Sequence, residues 1–408
     1  MRVLIVSQYF WPENFRINEL VGSLSKGCIE VEVLTGKPNY PGGKVFDGYR
    51  AWGLQREIHQ GNIINRIPII PRGGGGFRLA LNYLSFVVSG VLFAPRMLQK
   101  KPDVIFVCAP SPILQAIPAI FIGWLKGCPV VLWVQDLWPE SLSATGHVRN
   151  VAVLKLVEWV VRFIYRHVDL LLVTSIAFEK PVRELASGTP VVYYPNSVDD
   201  AFAMQSSIEI PEVNGLDGGF VVMFAGNIGS AQAVGVIVEA AWLLREHSDI
   251  RFVILGDGSS REWMLNEIRL RELKNIYLPG RFPVETMPGF MQKASALLVT
   301  LADQPIFALT VPNKVQAYMA AGRPIIACLN GEGARLVAEA KAGLPVRAED
   351  SRGLADAILQ LYELSPDELE RMGDNGRKYY REHFDHERLV EQLIGHLQAV
   401  TENRKNIK

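Results

Sequence analysis

The same tripeptide, tryptophan–proline–glutamate, occurs at Trp11-Pro12-Glu13 and at Trp138-Pro139-Glu140, each time after an apolar run that predicts a buried strand. In an open parallel sheet, ligands bind in the crevice at the carboxyl ends of the strands. A tryptophan offers a flat face to a ring, and a glutamate offers a carboxylate where the chain leaves the sheet. The repeat therefore indicates a cleft for a sugar or a nucleotide. The alternative for each copy is a hydrophobic plug in a loop.

A glycine-containing turn, Ala225 to Gln232, follows the apolar run Phe220–Phe224 and precedes a predicted helix at 233–245. Glycines here let backbone N–H groups approach a phosphate, and the N-terminus of a helix adds positive potential. Neither this turn nor a second one at Gly256 has a dinucleotide or P-loop fingerprint, so a purely structural turn is the alternative. The candidate phosphate ligands in the two turns are Gly226, Asn227, Gly229, Gln232 and Gly256.

Three charged residues of the second half stand where a nucleotide diphosphate could meet them. Lys314 begins a predicted helix, where its charge opposes the helix dipole unless an anion is bound. Arg281, in a glycine–proline loop, can make a forked contact to a phosphate or a base. Glu332 begins another predicted helix. The alternatives are a screened surface lysine, a solvated arginine and a carboxylate that only stabilises a helix N-terminus.

Predicted strands and helices alternate through both halves of the chain, which is typical of an α/β fold with doubly wound parallel sheets. The first half has predicted strands at Arg2–Val6, Val31–Leu34, Ile63–Arg66, Val104–Val107, Val130–Val134, Leu170–Val173 and Val191–Tyr193. The second half has predicted strands at Phe220–Phe224, Arg251–Leu255, Ile276–Leu278, Ala296–Thr300 and Pro324–Ala327.

A chain of 408 residues is too long for one hydrophobic core and predicts two domains. The predicted first domain covers residues 1–200 and the predicted second domain covers 219–384. Residues 201–218, rich in Ser, Pro and Gly, are the predicted linker. An amphipathic helix predicted in the tail, 385–408, is expected to pack back on the first domain.

Charge and cysteine usage bound the possible functions. The chain has 42 basic and 42 acidic residues, without the concentrated positive charge of a nucleic-acid-binding protein. The four cysteines form no CxxC and no zinc pattern, so we expect buried thiols in a reducing compartment. They are Cys28, Cys108, Cys128 and Cys328.

The apolar stretch Phe77–Ala94 lies between basic residues, Arg72 before it and Arg96, Lys100 and Lys101 after it. It lacks the roughly 18 uninterrupted apolar residues expected of a spanning helix. An apolar body with basic flanks is typical of a helix that lies on an anionic membrane surface. A core helix with solvated flanks is the other interpretation, and one helix can do both.

Several motifs in this order resemble the retaining glycosyltransferases of GT-B architecture, family 4. The similarity is greatest to the bacterial O-antigen and capsule subgroup that includes L-fucosamine (FucNAc) transferases. It is carried by Ser7–Glu13, Gln135–Ser141, Pro195–Asp199, Ala225–Gly229, Leu255–Gly258, Pro312–Lys314 and Tyr318–Pro324, and it covers nearly the whole chain.

The resemblance implies two Rossmann-like domains that face a central cleft, with the donor in the second domain and the acceptor in the first. By position, Asn227, Gly229 and Lys314 hold the donor diphosphate, and Asp136 lies near the transferred sugar. The predicted catalytic residues are Asp136, Glu13 and Glu140. The predicted donor-binding residues are Gly226, Asn227, Gly229, Gln232, Gly256, Arg281, Lys314 and Glu332. The predicted acceptor-binding residues are Trp11, Arg16, Asn39, Tyr40 and Trp138.

The chain departs from the family pattern at two acidic positions. Many members have two glutamates seven residues apart, and the matching positions here are Leu309 and Ala317. Asn227 and Gln232 replace the common Arg and Lys of the first turn. The ribose contact and part of the phosphate charge must then come from elsewhere, with Glu332 and Lys314 as the candidates.

The resemblance implies transfer of a sugar, of the N-acetyl-fucosamine type, from a UDP-sugar to a saccharide linked to undecaprenyl diphosphate, with retention of configuration. No DxD tripeptide is present for a divalent ion, so we expect neither a metal nor a cofactor. The expected location is the cytoplasm, at the inner-membrane surface, with no nucleic-acid partner. The alternatives are a nucleotide-sugar epimerase of the same architecture and a non-catalytic partner subunit. Sugar, linkage, acceptor saccharide and oligomeric state stay open.

Overall fold

The structure is a computed structural model that describes residues 1–27, 29–144, 150–198, 202 and 209–406. It divides into two compact units. The first contains Met1–Pro195 and Glu387–Lys408, and the second contains Asn196–His386. The predicted first domain, 1–200, ends a few residues after Pro195, and the predicted second domain, 219–384, lies within Asn196–His386. Most of the predicted linker's first half, as well as Asp199 and Cys28, lies outside the described residues.

The first unit is built on an eight-stranded sheet with the order β3-β4-β2-β1-β5-β6-β7-β8. Every neighbouring pair is parallel except β3 and β4. Its central strands are buried on both faces, which explains their continuous apolar sequences. The strands are Arg2–Val6 (β1), Glu30–Gly36 (β2), Gln55–His59 (β3), Asn62–Ile67 (β4), Val104–Ala109 (β5), Val130–Val134 (β6), Leu170–Val173 (β7) and Val191–Tyr193 (β8).

Within the described residues of this unit, six helices connect the strands. They are Ile17–Lys26 (α1), Gly76–Met97 (α2), Ala116–Lys126 (α3), Glu140–Ala144 (α4), Val151–Arg166 (α5) and Glu179–Ala186 (α6). The side chain of Asn150 begins α5 by accepting from the backbone N–H of Ala152 at 2.9 Å. Gly127, in the left-handed region at φ +63°, ends α3.

The second unit has a six-stranded parallel sheet with the order β11-β10-β9-β12-β13-β14. Its strands are Phe220–Ala225 (β9), Ile250–Leu255 (β10), Ile276–Gly280 (β11), Ala296–Thr300 (β12), Ile325–Cys328 (β13) and Gly343–Val346 (β14). Its helices are Gly235–Leu243 (α7), Arg261–Leu270 (α8), Met287–Lys293 (α9), Pro305–Leu309 (α10), Asn313–Ala321 (α11), Glu332–Glu339 (α12), Ser351–Tyr362 (α13) and Pro366–His383 (α14).

The last helix, His386–Asn406 (α15), packs on the first unit. Its buried side chains, among them Leu393 and Leu397, share one apolar cluster with β1 and α1. Arg404 binds Asp169 at 2.6 Å, directly before β7. The tail thus completes the core on one face of the first sheet.

Both sheets follow the predicted alternation, and β1, β6, β7, β8 and β12 have the predicted bounds. The prediction lacked strands β3 and β14. Strand β3 is a half-exposed edge strand in which Ile58 is the one apolar residue, so it has no continuous apolar run. Strand β14 contains both a glycine and a proline, which are rare in strand interiors.

Helix α2 is the one helix, within the described part of the chain, that is long and apolar enough by length and composition to cross a membrane. A core helix passes the same test. The thiols of Cys108, Cys128 and Cys328 are free and buried.

Candidate functional site

Lys314, the second residue of α11, lies against the glycine turn that follows β9. A Cβ atom on Gly226 would lie 2.5 Å from the Cε atom of Lys314 and 2.9 Å from its Nζ atom. The ammonium stands 3.6 Å from the centre of the Phe224 ring. Burial lowers the pKa of Lys314 to about 7. Among the described residues no carboxylate pairs with it, so α11 presents a cation without a counter-ion.

Helix α11 is fixed to β9 by the buried hydroxyl of Tyr318, which accepts from the backbone N–H of Ala225 at 3.1 Å. The helix begins after Pro312, whose backbone is extended, and ends at Gly322 in the left-handed region. The side chain of Asn196 donates to Asn313 Oδ1 at 3.1 Å. The Asn196 and Asn313–Lys314 motifs, 117 residues apart, are therefore neighbours in the second unit.

The predicted phosphate ligands of the first turn bind one another. Gln232 Oε1 accepts from the backbone N–H of Gly229 at 3.2 Å and from Asn227 Nδ2 at 3.2 Å. The predicted helix at 233–245 does not follow the turn at once. Ser230–Gln232 forms a 3₁₀ turn and Ala233 has φ +46°, so α7 begins only at Gly235. The N-terminus of α7 is therefore separated from Gly229, contrary to the expectation.

Gly256 belongs to a contact between the two glycine turns. A Cβ atom at this position would lie 1.8 Å from the carbonyl oxygen of Gly226, and its φ is +145°. Only glycine fits there, because the two backbones touch and because the backbone conformation is one that L-residues rarely adopt. The structural reason for Gly256 is complete without a ligand, and its predicted donor contact stays a prediction.

The two other charged donor candidates differ in how they are held. Arg281 is exposed, directly after Gly280, whose carbonyl accepts from the Gly256 backbone N–H at 2.8 Å. Arg281 thus starts beside the glycine turns. Glu332 is held by Arg335, which donates to its two carboxylate oxygens at 3.1 and 3.0 Å. A ribose contact by Glu332 would have to share this ion pair, and it stays a prediction.

In the first unit, Glu13 anchors the loop after β2. Its Oε1 atom accepts from the backbone N–H groups of Asn39 and Tyr40, both at 2.7 Å, and Oε2 accepts from Phe10 at 3.3 Å. Burial raises the pKa of Glu13, while these three bonds act in the opposite direction. The carboxylate is 3% exposed and fully engaged with backbone, which makes it a structural anchor; its catalytic role stays a prediction.

An arginine and three aromatic rings meet beside that anchor. Arg72 stands over the ring of Tyr40 at 4.9 Å and over that of Tyr9 at 5.9 Å, and it donates to the Tyr9 hydroxyl at 3.4 Å. Tyr9 stacks on Phe15 at 5.1 Å. Asn39 is buried and its Oδ1 atom accepts from the Arg72 backbone N–H at 2.8 Å. Of the predicted acceptor residues, Tyr40 is therefore the open one and Asn39 supports the loop.

The two tryptophans of the repeated tripeptide have different surroundings, although both Trp–Pro bonds are cis. Trp11 stacks on His59 with centroids 4.0 Å apart, so one face of its ring is covered. Trp138 is 6% exposed and packs near Tyr83. The buried Trp138 ring is therefore not an open platform, contrary to the expectation from the motif. Trp11 is partly exposed, and its predicted acceptor contact stays a prediction. Arg16 lies directly before α1 and is partly buried.

Asp136 follows β6 at the carboxyl edge of the first sheet. Burial raises the pKa of its carboxyl from 3.8 to about 6. Burial raises the pKa of the Tyr165 and Tyr83 hydroxyls, the charges of Glu140 and Asp136 add to the shift at Tyr165, and that of Asp136 adds to the shift at Tyr83. Asp136 thus lies among hydroxyl groups, whereas Glu140 is exposed at the start of α4. Shifted carboxyl groups at a strand end are typical of functional sites.

Sequence reasoning missed Arg72, Tyr9, Tyr83, Ser111 and Tyr165. Burial raises the pKa of the Tyr83 hydroxyl, which binds the side chain of Ser111, while the charge of Arg72 lowers this pKa and that of Asp136 raises it. The proline-containing loops after β2, at Pro38–Gly43, and after β5, at Ala109–Pro112, were the sequence signal that could have indicated this site. Tyr83 of α2 and Tyr165 of α5 could not be predicted, because the sequence of a helix does not show which strand end its side chains contact.

Residues 14–197 match the family described as "Glycosyl transferase 4-like domain", and residues 219–364 match the family described as "Glycosyl transferases group 1". One match covers most of the first unit, and the other lies within the second. The chain belongs to the family 4 glycosyltransferases of GT-B architecture.

Among relatives, the chain is 24% identical over 343 residues to WcaI of Escherichia coli strain K12, named as a colanic acid biosynthesis glycosyl transferase. The match covers 79% of this chain and 82% of WcaI. Sucrose-phosphate synthase from Thermosynechococcus elongatus has the same fold, with a TM-score of 0.72, 15% identity, and 98% and 99% of the two chains covered. Anabaena HepE, solved in complex with UDP, also has this fold, with a TM-score of 0.70 and 13% identity. The match covers 98% of this chain and 100% of the HepE chain. At these identities the two structures establish the fold alone.

Within the described residues, no group of three or more His, Cys, Asp or Glu side chains could hold a metal ion.

Proposed function

We propose that this glycosyltransferase moves a sugar from a UDP-sugar to a hydroxyl of a saccharide linked to undecaprenyl diphosphate, with retention of anomeric configuration. The product would be an intermediate of a bacterial surface polysaccharide. The name of WcaI, which refers to colanic acid biosynthesis, supports a polysaccharide product. Within this class, an N-acetyl-fucosamine-type sugar is our specific hypothesis for the donor.

The observation that carries the proposal is the ammonium of Lys314 against Gly226, which pairs with no carboxylate of the described residues. A cation with its pKa lowered to about 7 by burial has an unfavourable site until an anion arrives. A diphosphate beside the glycine turn would supply that charge. Anabaena HepE, which has this fold, is solved with UDP and with UDP-glucose, and this supports a nucleotide-sugar donor.

The chemistry needs stabilisation of the leaving diphosphate above all. We assign this to Lys314 and to backbone N–H groups of the glycine turns, without a metal ion. The backbone N–H of Gly229 can contribute only if its hydrogen bond to Gln232 Oε1 breaks. We assign orientation of the acceptor hydroxyl, or stabilisation of positive charge on the sugar, to Asp136. Glu140 is the second candidate for that role.

The test is Lys314→Ala. We expect UDP affinity to fall at least about tenfold and turnover to fall further, because one charge-assisted contact to the diphosphate is removed. Thermal stability should not decrease, because the substitution also removes a charge that burial disfavours. Calorimetry with UDP and a radiolabelled lipid-acceptor assay measure the two effects. A folded variant with unchanged UDP binding would refute the diphosphate role.

Donor and metal requirement are measured separately. Thermal stabilisation by a panel of UDP-, GDP- and dTDP-sugars, with UDP-N-acetyl-fucosamine among them, identifies the base and the sugar. NMR of the product identifies its anomeric configuration. Turnover that persists in excess chelator is the expected result, and its loss and recovery with a divalent ion would overturn metal independence.

The epimerase alternative has no specific observation in its favour, and the non-catalytic subunit has only the absence of the two family glutamates. An epimerase would convert the UDP-sugar without an acceptor, which NMR of the donor alone detects. A non-catalytic subunit would give neither transfer nor conversion with any donor of the panel. Our proposal places the transferase in the cytoplasm at the inner-membrane surface, where a lipid-linked acceptor would be presented.

A further inference from the structure

Helices α2, α3 and α5 form a continuous layer on one face of the first sheet, and the outward side of this layer is apolar. Helix α3 packs against both of the others. Large apolar side chains point to solvent from all three helices. We call six of them, each more than half exposed, the apolar helix face: Phe77, Leu84, Leu92, Trp124, Leu156 and Trp159.

Helix α5 shows how unusual this face is. It has 16 residues, yet only Val161, Ile164 and Tyr165 are buried. A helix on the surface of a soluble domain normally turns polar side chains to water. Here Leu156 and Trp159 are 61% and 65% exposed, and Trp124 on the neighbouring α3 is 78% exposed. Contiguous exposed apolar surface of this kind marks an interaction site.

The charges on these three helices are almost all positive. The three helices carry six basic residues and one acidic residue, Glu158. Glu158 is bound by Arg162 at 2.6 Å, so its charge is balanced. All three helices return from the carboxyl to the amino edge of the sheet. Their basic ends, Arg96, Lys126 and Arg166, therefore lie along one edge of the apolar helix face.

We propose that the apolar helix face binds the surface of an anionic lipid bilayer, with Trp124 and Trp159 inserted at the level of the lipid headgroups. Tryptophan prefers this depth because its ring is apolar and its N–H group is polar. Basic residues around an apolar face add attraction to anionic lipids. In a dimer formed through this face, the basic residues of the two copies would repel one another. The positive charge therefore favours an anionic lipid surface over self-association.

The geometry points to a helix layer that lies on the bilayer. Helix α2 is long and apolar enough to cross a membrane, but the side of α2 opposite the apolar helix face packs inside the first unit. Phe86 is fully buried, and a Cβ atom on Gly90 would lie 2.6 Å from Pro118 of α3. Extracting α2 to span a bilayer would remove this packing from the first unit.

This surface deepens the proposed function, on which its biological purpose rests, because it would hold the enzyme where a lipid-linked acceptor lies. The binding itself requires neither donor nor acceptor. It can therefore be tested alone, with vesicles as the probe.

The experiment is co-sedimentation of the full chain with vesicles of phosphatidylcholine, with or without phosphatidylglycerol. We expect binding to the mixed vesicles, weaker binding to phosphatidylcholine alone, and release by salt. The double variant Trp124→Gln and Trp159→Gln should bind at least about tenfold more weakly, because two large apolar side chains no longer leave water. Its far-UV circular dichroism and its UDP binding should equal those of the wild type.

The matched control is the double variant Trp52→Gln and Trp263→Gln. These tryptophans are also exposed, at 71% and 45%, but lie on none of the three helices. We expect full vesicle binding from this control. Equal losses in both double variants would overturn the assignment of the face.

Three other results would also overturn the proposal. Absence of vesicle binding by the wild type would do so directly. A wild-type dimer that the Trp124/Trp159 variant converts to monomer would assign the face to a second copy. Resistance of the bound wild type to salt and alkali would indicate insertion of α2. Sugar transfer to a water-soluble acceptor, measured in parallel, separates failure of this surface from failure of the proposed function.

Discussion

At the residue scale, Lys314 and Asp136 share one property: burial opposes the charge of each side chain. The pKa of Lys314 is lowered to about 7, and that of Asp136 is raised to about 6. Among the described residues, neither side chain has the nearby opposite charge that normally offsets burial within a fold. Each of the two units thus holds one ionisable group that favours the arrival of an external partner.

Donor binding should be linked to proton uptake through Lys314. At about pH 8 the free ammonium is mostly deprotonated, and a bound diphosphate restores its charge by raising the pKa. We expect UDP binding to take up close to one proton there, measured by calorimetry in buffers of different ionisation enthalpy. Lys314→Arg is the control, because arginine stays charged and should bind without uptake. Equal uptake in both proteins would assign the proton to another group.

Asp136 should weaken the fold while serving the reaction. Because its pKa is raised in the folded state, stability is lost as the pH rises from 3.8 through about 6. We expect Asp136→Asn to raise the free energy of unfolding at pH 7 by about 1 kcal/mol or more, and to abolish transfer. Urea denaturation should show this gain shrinking as the pH falls below 6. An active variant of unchanged stability would contradict both roles.

At the element scale, the candidate residues lie where strands end and loops begin. The loop after β2 is held by Glu13, and the turn after β9 lies against α11. Loops of this kind carry function because a rigid sheet positions them. A residue in such a loop can act on a ligand directly, or it can only hold the loop in place.

Glu13→Gln separates these two possibilities. The amide can keep one acceptor oxygen, but its NH₂ group would face the N–H group of Phe10 or those of Asn39 and Tyr40. We expect a loss of about 1–3 kcal/mol in the free energy of unfolding, with turnover per folded molecule largely kept. Glu140→Gln, on an exposed carboxylate, should change stability by no more than about 0.5 kcal/mol. Loss of turnover without loss of stability in Glu13→Gln would make it catalytic.

At the scale of the whole molecule, the two units are not two consecutive segments of chain. The first unit takes its last helix from the other end of the sequence. Helix α15 fills the face of the first sheet opposite α2, α3 and α5, and its leucines lie in the same cluster as β1. The first unit is therefore complete only after the second has been synthesised.

Leu393→Ala tests this dependence. Leu393 is fully buried in the cluster with Val3 and Ile5, so its truncation leaves a cavity. We expect a loss of about 2–5 kcal/mol in the free energy of unfolding, measured by urea denaturation. Gln398→Ala, exposed on the same helix, should cost no more than about 0.5 kcal/mol. Equal effects of the two substitutions would show that α15 contributes little to the core.

Much of the fold could be predicted because buried parallel strands are continuous apolar runs. Strands β6 and β7, whose every residue is buried, have the bounds that the sequence predicts. Strand β3 could not be found, because an exposed edge strand needs no apolar sequence. The family departures at Leu309 and Ala317 were also visible in the sequence, and Ala317 proves to be buried.

The sequence by itself determined the two α/β sheets, the family and the position of Lys314 at the start of a helix, because these follow from local pattern and spacing. Only the tertiary structure decided which candidates are open to a ligand. Glu13, Asn39 and Trp138 are buried in the fold, whereas Lys314 and Asp136 have no counter-charge within the part of the chain that the structure describes. Burial and pairing depend on residues far apart in the chain, such as Asn196 and Asn313, and no local pattern records them.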